Sequence, residues 1–209
     1  VKKTARLRLG LYGGTFDPVH TGHLLLARDA LEQCRLDAVL FIPCAQSPLK
    51  KSGPRATAAQ RVALLRLALK GEPRFWLSRC ELDRPAPSYA IDTAREIRDS
   101  FPHAQLFWLL GDDQWTQLDQ WRQADELRRL VRFIRLPRAG EGNAQSVERA
   151  PDPVAKAVGR APVLDLPRPR RIDISATEIR RRVKARLPID PHVPAAVAAY
   201  IRRHGLYRS

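Results

Sequence analysis

The sequence predicts an α/β fold: a Rossmann-like, doubly wound parallel sheet in one domain, residues 1–209, with C-terminal helices. Three observations predict it. Short apolar runs alternate with stretches of helical periodicity, the pattern of parallel strands joined by crossover helices. The first run leads through a glycine-rich turn straight into a helix. Further loops follow other runs, so right-handed crossovers bring them together beyond the strands' C-terminal ends, where such sheets bind ligands.

The elements follow in order. Leu7–Tyr12 reads as a buried strand and Gly22–Cys34 as an apolar-rich helix, with the turn GGTFDPVHT between them. Ala38–Pro43 (AVLFIP) is a second strand, and Cys44–Thr57 is a loop rich in Pro, Ser, Lys and Gly. Over Ala58–Lys70, Val62, Leu65 and Leu69 recur at helical spacing, and Gly71 ends the helix. Phe75–Ser78 is a short strand. Ser88–Ser100 is a helix that Ser88 is expected to cap, with Ile91, Ala94 and Ile97 on one side. Gln105–Leu110 is a strand leading into Gly111. Gln123–Leu130 is helical, Val131–Leu136 a strand, Pro137–Pro153 a loop and Val163–Leu166 a last short strand. Pro194–His204 reads as a helix started by Pro194 and stopped by Gly205.

Composition narrows the class. The 209 residues are 44% hydrophobic and 28% charged, ordinary for a globular protein with a sizeable core. No apolar run is long enough for a membrane span, and the first residues lack a signal-peptide pattern. Cys34, Cys44 and Cys80 are scattered, so neither a disulfide framework nor a zinc site is expected, and a cytoplasmic setting is. The net charge of +15 suits either nucleic acid or an anionic small substrate. The arginines are spread along many helices, apart from a cluster at 168–186. No aromatic RNA-binding pattern and no GXXG clamp accompany them, so a basic RNA-binding protein is the weaker alternative.

Two stretches carry phosphate chemistry. In Gly13–Leu24 (GGTFDPVHTGHL), Gly13 and Gly14 let backbone N–H groups approach a ligand, because no Cβ intervenes. His20 and His23, three apart at a helix start, fall on one face beside the free N–H groups of that terminus. In Ile174–Arg180 (ISATEIR), Ser175 and Glu178 are spaced as a reciprocal capping box. The same helix start offers N–H groups, the Thr177 hydroxyl and the Arg180 guanidinium, which can hold two phosphate oxygens at once.

GGTFDPVHTGHL resembles the HxGH signature of the nucleotidylyltransferase superfamily, in the form used by bacterial nicotinate-mononucleotide adenylyltransferases. ISATEIR resembles that superfamily's ISxTxxR motif. Between them, Glu81–Thr93 (ELDRPAPSYAIDT) is similar to the family's ELxRxxPSYTxDT, and Gly111–Trp121 (GDDQWTQLDQW) to its GxDxxxxxxxW; YIRRHGLY near the end is similar to its last helix. The resemblance runs in order along nearly the whole chain. It implies AMP transfer from ATP to nicotinate mononucleotide, giving nicotinate adenine dinucleotide and pyrophosphate, a step of NAD biosynthesis. The attack would be in line, without a covalent intermediate. His20, His23 and Arg180 would be catalytic. Gly13, Gly14, Thr15, Phe16, Gly111, Asp113, Ser175 and Thr177 would join them in binding ATP. Lys50, Ser88, Tyr89, Trp121 and Arg135 would bind the nicotinate nucleotide, with Trp121 stacked on its ring; Trp115 is read as a packing residue. Mg²⁺ would arrive with ATP, and Asp112 and Asp113 are not read as a metal site.

Two segments depart from the family pattern. Where it carries PPH followed by a cation, this chain has Ser47, Pro48, Leu49 and Lys50; where it has Thr after PSY, this chain has Ala90. Both fall on the acceptor side, so a nicotinamide mononucleotide or another acceptor is the alternative within the superfamily. No nucleic-acid or membrane partner is expected, and oligomeric state is left open.

Overall fold

A computed structural model describes residues 6–49, 52–136, 164–166 and 173–208. The loop predicted over 137–153 and the cation Lys50 lie outside the described residues. Among the described residues, six strands form one parallel sheet: β1 Arg8–Gly14, β2 Ala38–Pro43, β3 Phe75–Leu77, β4 Gln105–Gly111, β5 Arg132–Leu136 and β6 Leu164–Asp165. Their order is β3-β2-β1-β4-β5-β6, with the direction of winding reversing between β1 and β4. This is the predicted doubly wound arrangement.

Side chains alternate across each strand, and both faces are covered. Tyr12, Val39, Phe41, Phe107 and Leu109 meet helices α1 (Thr21–Gln33), α2 (Ala58–Leu69), α6 (Ala176–Lys184) and α7 (Ala195–Arg203). Leu9, Leu11, Leu40, Ile42, Leu106 and Leu110 meet α3 (Ala90–Ser100) and α5 (Ala124–Leu130). A one-turn helix α4 (Asp112–Trp115) and a 3₁₀ turn at Leu118–Gln120, neither of them predicted, link β4 to α5. Trp115 packs edge-on against Phe133, as the pattern predicted.

Three local expectations need correction. Gly13 and Gly14 belong to β1 rather than to the turn after it. A Cβ on Gly13 would stand 3.2 Å from the Trp108 ring, and one on Gly14 would stand 3.1 Å from the Phe16 ring. The missing side chains therefore make room for aromatic packing. Ser88 does not cap α3. That helix begins at Ala90 with Tyr89 as its flanking residue and no side-chain cap, while the Ser88 hydroxyl accepts from the Ala45 N–H at 3.0 Å. The box at α6 is half formed. Ser175 Oγ accepts from the Glu178 N–H at 3.2 Å, but the Glu178 carboxylate turns outward to Arg181, at 2.7 and 2.8 Å.

Candidate active site

Because the strands are parallel, the loops after β1, β2 and β4 leave from the same edge of the sheet. β1 and β4 also flank the switch point, where crossovers diverge and leave a crevice.

The loop after β1 carries the first motif. His20 is the residue flanking α1 and His23 lies in its first turn. Their rings stack with centroids 3.6 Å apart. The His20 backbone N–H donates to His23 Nδ1 at 3.2 Å. With Nδ1 accepting, the neutral His23 ring carries its proton on Nε2, so that nitrogen can donate. The bond that caps the helix thus also selects the tautomer. Phe16 lies against His23 of this pair. It is 2% exposed and packs edge-on to Tyr12 and His23, so it can meet a nucleotide only through its backbone.

The second motif reaches the first across 163 residues. Arg180 Nη1 donates to the Asp17 carbonyl at 2.7 Å, and Nη2 to Thr177 Oγ1 at 3.1 Å. Thr177 and Arg180 are thereby placed beside the loop that leads into His20.

Beneath that loop lies a cluster that the sequence did not single out. Asp17 is 4% exposed. Its carboxylate accepts from the Arg55 N–H at 2.6 Å, the Ala56 N–H at 3.1 Å and the Tyr207 hydroxyl at 2.7 Å. Arg61, 2% exposed, donates to the Thr15 carbonyl at 2.8 Å. Burial lowers the Arg61 guanidinium from its usual range, and the nearby Cys44 and Asp17 oppose that shift. Asp17 and Tyr207 stood inside quoted motifs; Arg61 carried no signal.

The opposite wall is built on the segment between β3 and α3. The Ser88 N–H donates to the Gln46 carbonyl at 2.9 Å, so with the Ala45 bond the turn at Ser88–Tyr89 is fastened to the loop after β2. Glu81, 4% exposed, accepts from the Thr93 hydroxyl at 2.6 Å, and Thr93 in turn accepts from Arg84 at 2.6 Å. Burial, opposed mainly by the Thr93 hydrogen bond, raises the Glu81 carboxyl above its ordinary range. The Arg122 guanidinium lies over the Tyr89 ring at 4.7 Å, beside Trp121 in sequence. Trp121 meets Trp108 edge-on, with centroids 6.2 Å apart. Trp108 also backs Gly13, so one indole touches both walls.

At the end of β4, Gly111 opens α4, and its N–H donates to Gln114 Oε1 at 3.3 Å. Asp113 is exposed in the first turn of that helix. Arg135 pairs with Asp112 at 3.1 Å, one strand over.

Comparison with known proteins gives the family and the fold. The cytidylyltransferase-like family model matches residues 11–182. A probable nicotinate-nucleotide adenylyltransferase of Methylacidiphilum infernorum is 42% identical, over 99% of this chain and 95% of its own length. One of Thermus thermophilus is also 42% identical, over 97% of this chain and 100% of its own. In fold, the chain is similar to the nicotinic acid mononucleotide adenylyltransferase of Plasmodium falciparum solved with NaAD. That match has a TM-score of 0.72 at 16% identity, covering 96% of this chain and 97% of that one.

Proposed function

The chain belongs to the cytidylyltransferase-like family and, within it, to the nicotinate-nucleotide adenylyltransferases; we propose that it transfers AMP from ATP to the 5′-phosphate of nicotinate mononucleotide, a step of NAD biosynthesis. The observation that carries this assignment to the site is the Arg180 bond to the Asp17 carbonyl, which sets the two phosphate motifs side by side.

The acceptor phosphate is already an anion at neutral pH, so no protein nucleophile is needed. It attacks the α-phosphorus of ATP in line, a P–O bond to pyrophosphate breaks, and no covalent enzyme intermediate forms. Catalysis is positioning plus stabilisation of developing charge. His20 and His23 donate to oxygens of the reacting phosphate. Ser175, Thr177 and Arg180, at the start of α6, hold the β- and γ-phosphates and steady the leaving pyrophosphate. The backbone of Gly13–Phe16 lines the phosphates, and Gly111 and Asp113 flank the adenosine. Ser88, Tyr89 and Trp121 receive the nicotinate ring and its carboxylate, while Lys50 and Arg135 serve the acceptor phosphate. The imidazole, hydroxyl and guanidinium groups of the phosphate side suit phosphate oxygens rather than a bare cation, so Mg²⁺ would enter bound to ATP, where it would lower the repulsion between the substrates. The whole chain acts as one nucleotidylyltransferase domain. We place it in the cytoplasm, a setting that its three buried free thiols support.

The test is pyrophosphate release from Mg-ATP with nicotinate mononucleotide, nicotinamide mononucleotide and phosphopantetheine compared as acceptors. Strong preference for the nicotinate form is expected. Preference for the amide would keep the chemistry and move the specificity, and turnover only with phosphopantetheine would refute the assigned acceptor.

A further inference from the structure

We propose that Tyr207, near the C-terminus, is a positioning residue for the ATP phosphates, acting through Asp17 on Arg180. Asp17 has two ends and both are occupied. Its carboxylate is pinned by the Arg55 and Ala56 N–H groups and by the Tyr207 hydroxyl, which comes from 190 residues away. Its carbonyl receives Arg180. A residue held by its side chain cannot swing its carbonyl freely, so the direction of the Arg180 acceptor depends on the side-chain bonds. Two residues earlier, Arg61 grips the Thr15 carbonyl, so the loop is fastened from beneath at a second point.

The choice of a phenol fits this task. Burial and the adjacent Asp17 carboxylate push the Tyr207 hydroxyl far above its ordinary range, so it remains a neutral donor throughout the working pH range. On the ligand side, Asp17 and Thr177 take two of the five donors of Arg180. The guanidinium is thus oriented by protein while keeping N–H groups for an anion. α7 and the turn after it, which lie far from the first phosphate motif in sequence, thereby belong to the machinery of the phosphate side.

The proposal rests on the ATP half of the assigned function and not on the acceptor. Its test is therefore calorimetric binding of Mg-ATP, which needs no turnover. Tyr207→Phe keeps the ring and removes one donor to a charged group; it should weaken ATP about tenfold in the native background. In an Arg180→Ala background the same change should weaken ATP less than about twofold, since the residue it acts through is gone. KM for nicotinate mononucleotide should stay unchanged. Asp17→Asn, which keeps the carbonyl and one acceptor oxygen, should repeat the pattern and serves if Tyr207→Phe does not fold. Equal weakening in both backgrounds, undiminished ATP binding, or an equal rise in the acceptor KM would each overturn the proposal. A native protein that binds ATP but does not use nicotinate mononucleotide would defeat the assigned acceptor and leave this cycle readable.

Discussion

Asp17 and Glu81 are equally buried, yet they hold opposite walls of the crevice in different ways. Asp17 gathers donors from 38, 39 and 190 residues away and sits close to the buried Arg61 guanidinium. Glu81 accepts from the Thr93 hydroxyl, only 12 residues on, and its carboxyl is raised by burial. The phosphate wall is thus an electrostatic knot tied by distant parts of the chain. The wall assigned to the acceptor is a turn fastened to its own helix and, through Ser88, to the loop after β2. A polyanion needs fixed charges in fixed places, whereas a planar ring needs a shaped surface; the two constructions match those demands.

The comparison can be broken at its strongest point first. Arg61→Met removes the buried cation beneath the phosphate wall and leaves the Asp17 charge less compensated, which should cost about 3 kcal/mol of stability in a denaturant titration. A change within about 0.5 kcal/mol would mean that the knot holds nothing. Next, His23→Ala removes a preorganised donor at the seam of the walls. Turnover should fall about 100-fold or more, with the fold intact by circular dichroism. Near-native turnover would strip His23 of its role.

The smallest effect lies on the acceptor wall. Burial raises the Glu81 carboxyl above its ordinary 4.5, so the folded chain binds that proton more tightly than the unfolded chain. This contribution to stability is full below pH 4.5 and is lost as pH rises through the raised value. Glu81→Gln lacks it. Thermal melts of the two proteins should therefore differ in favour of the native chain most at low pH, with the gap closing or reversing toward neutrality. A gap that widens with rising pH would contradict the assignment.

The same contrast explains what could be read from the sequence. Strands showed as apolar runs between breakers, and β2 was placed to the residue because Pro43 ends it. Local pairs were legible too, since residues three apart at a helix start must be neighbours; His20 with His23 and Thr177 with Arg180 came out so. Ser88 misled because a serine before a helical pattern looks like a cap, and only the fold passes Ala45 within reach of its hydroxyl. At Gly13 and Gly14 the sequence hides a second reason for glycine, because nothing local announces that Trp108 lies against one and Phe16 against the other. Arg61 gave no signal. A basic residue in a helix is ordinarily solvated, and the carbonyl it serves is 46 residues away.

The most direct measurement is a pair of KM values, for ATP and for nicotinate mononucleotide, in Arg180→Ala and Glu81→Gln. If each wall serves one substrate, Arg180→Ala raises KM for ATP roughly tenfold or more and leaves the acceptor within about twofold. Glu81→Gln then raises KM for the acceptor about threefold and leaves ATP unchanged. If either substitution moves both constants together, the walls are not separate and the division drawn between Asp17 and Glu81 is wrong.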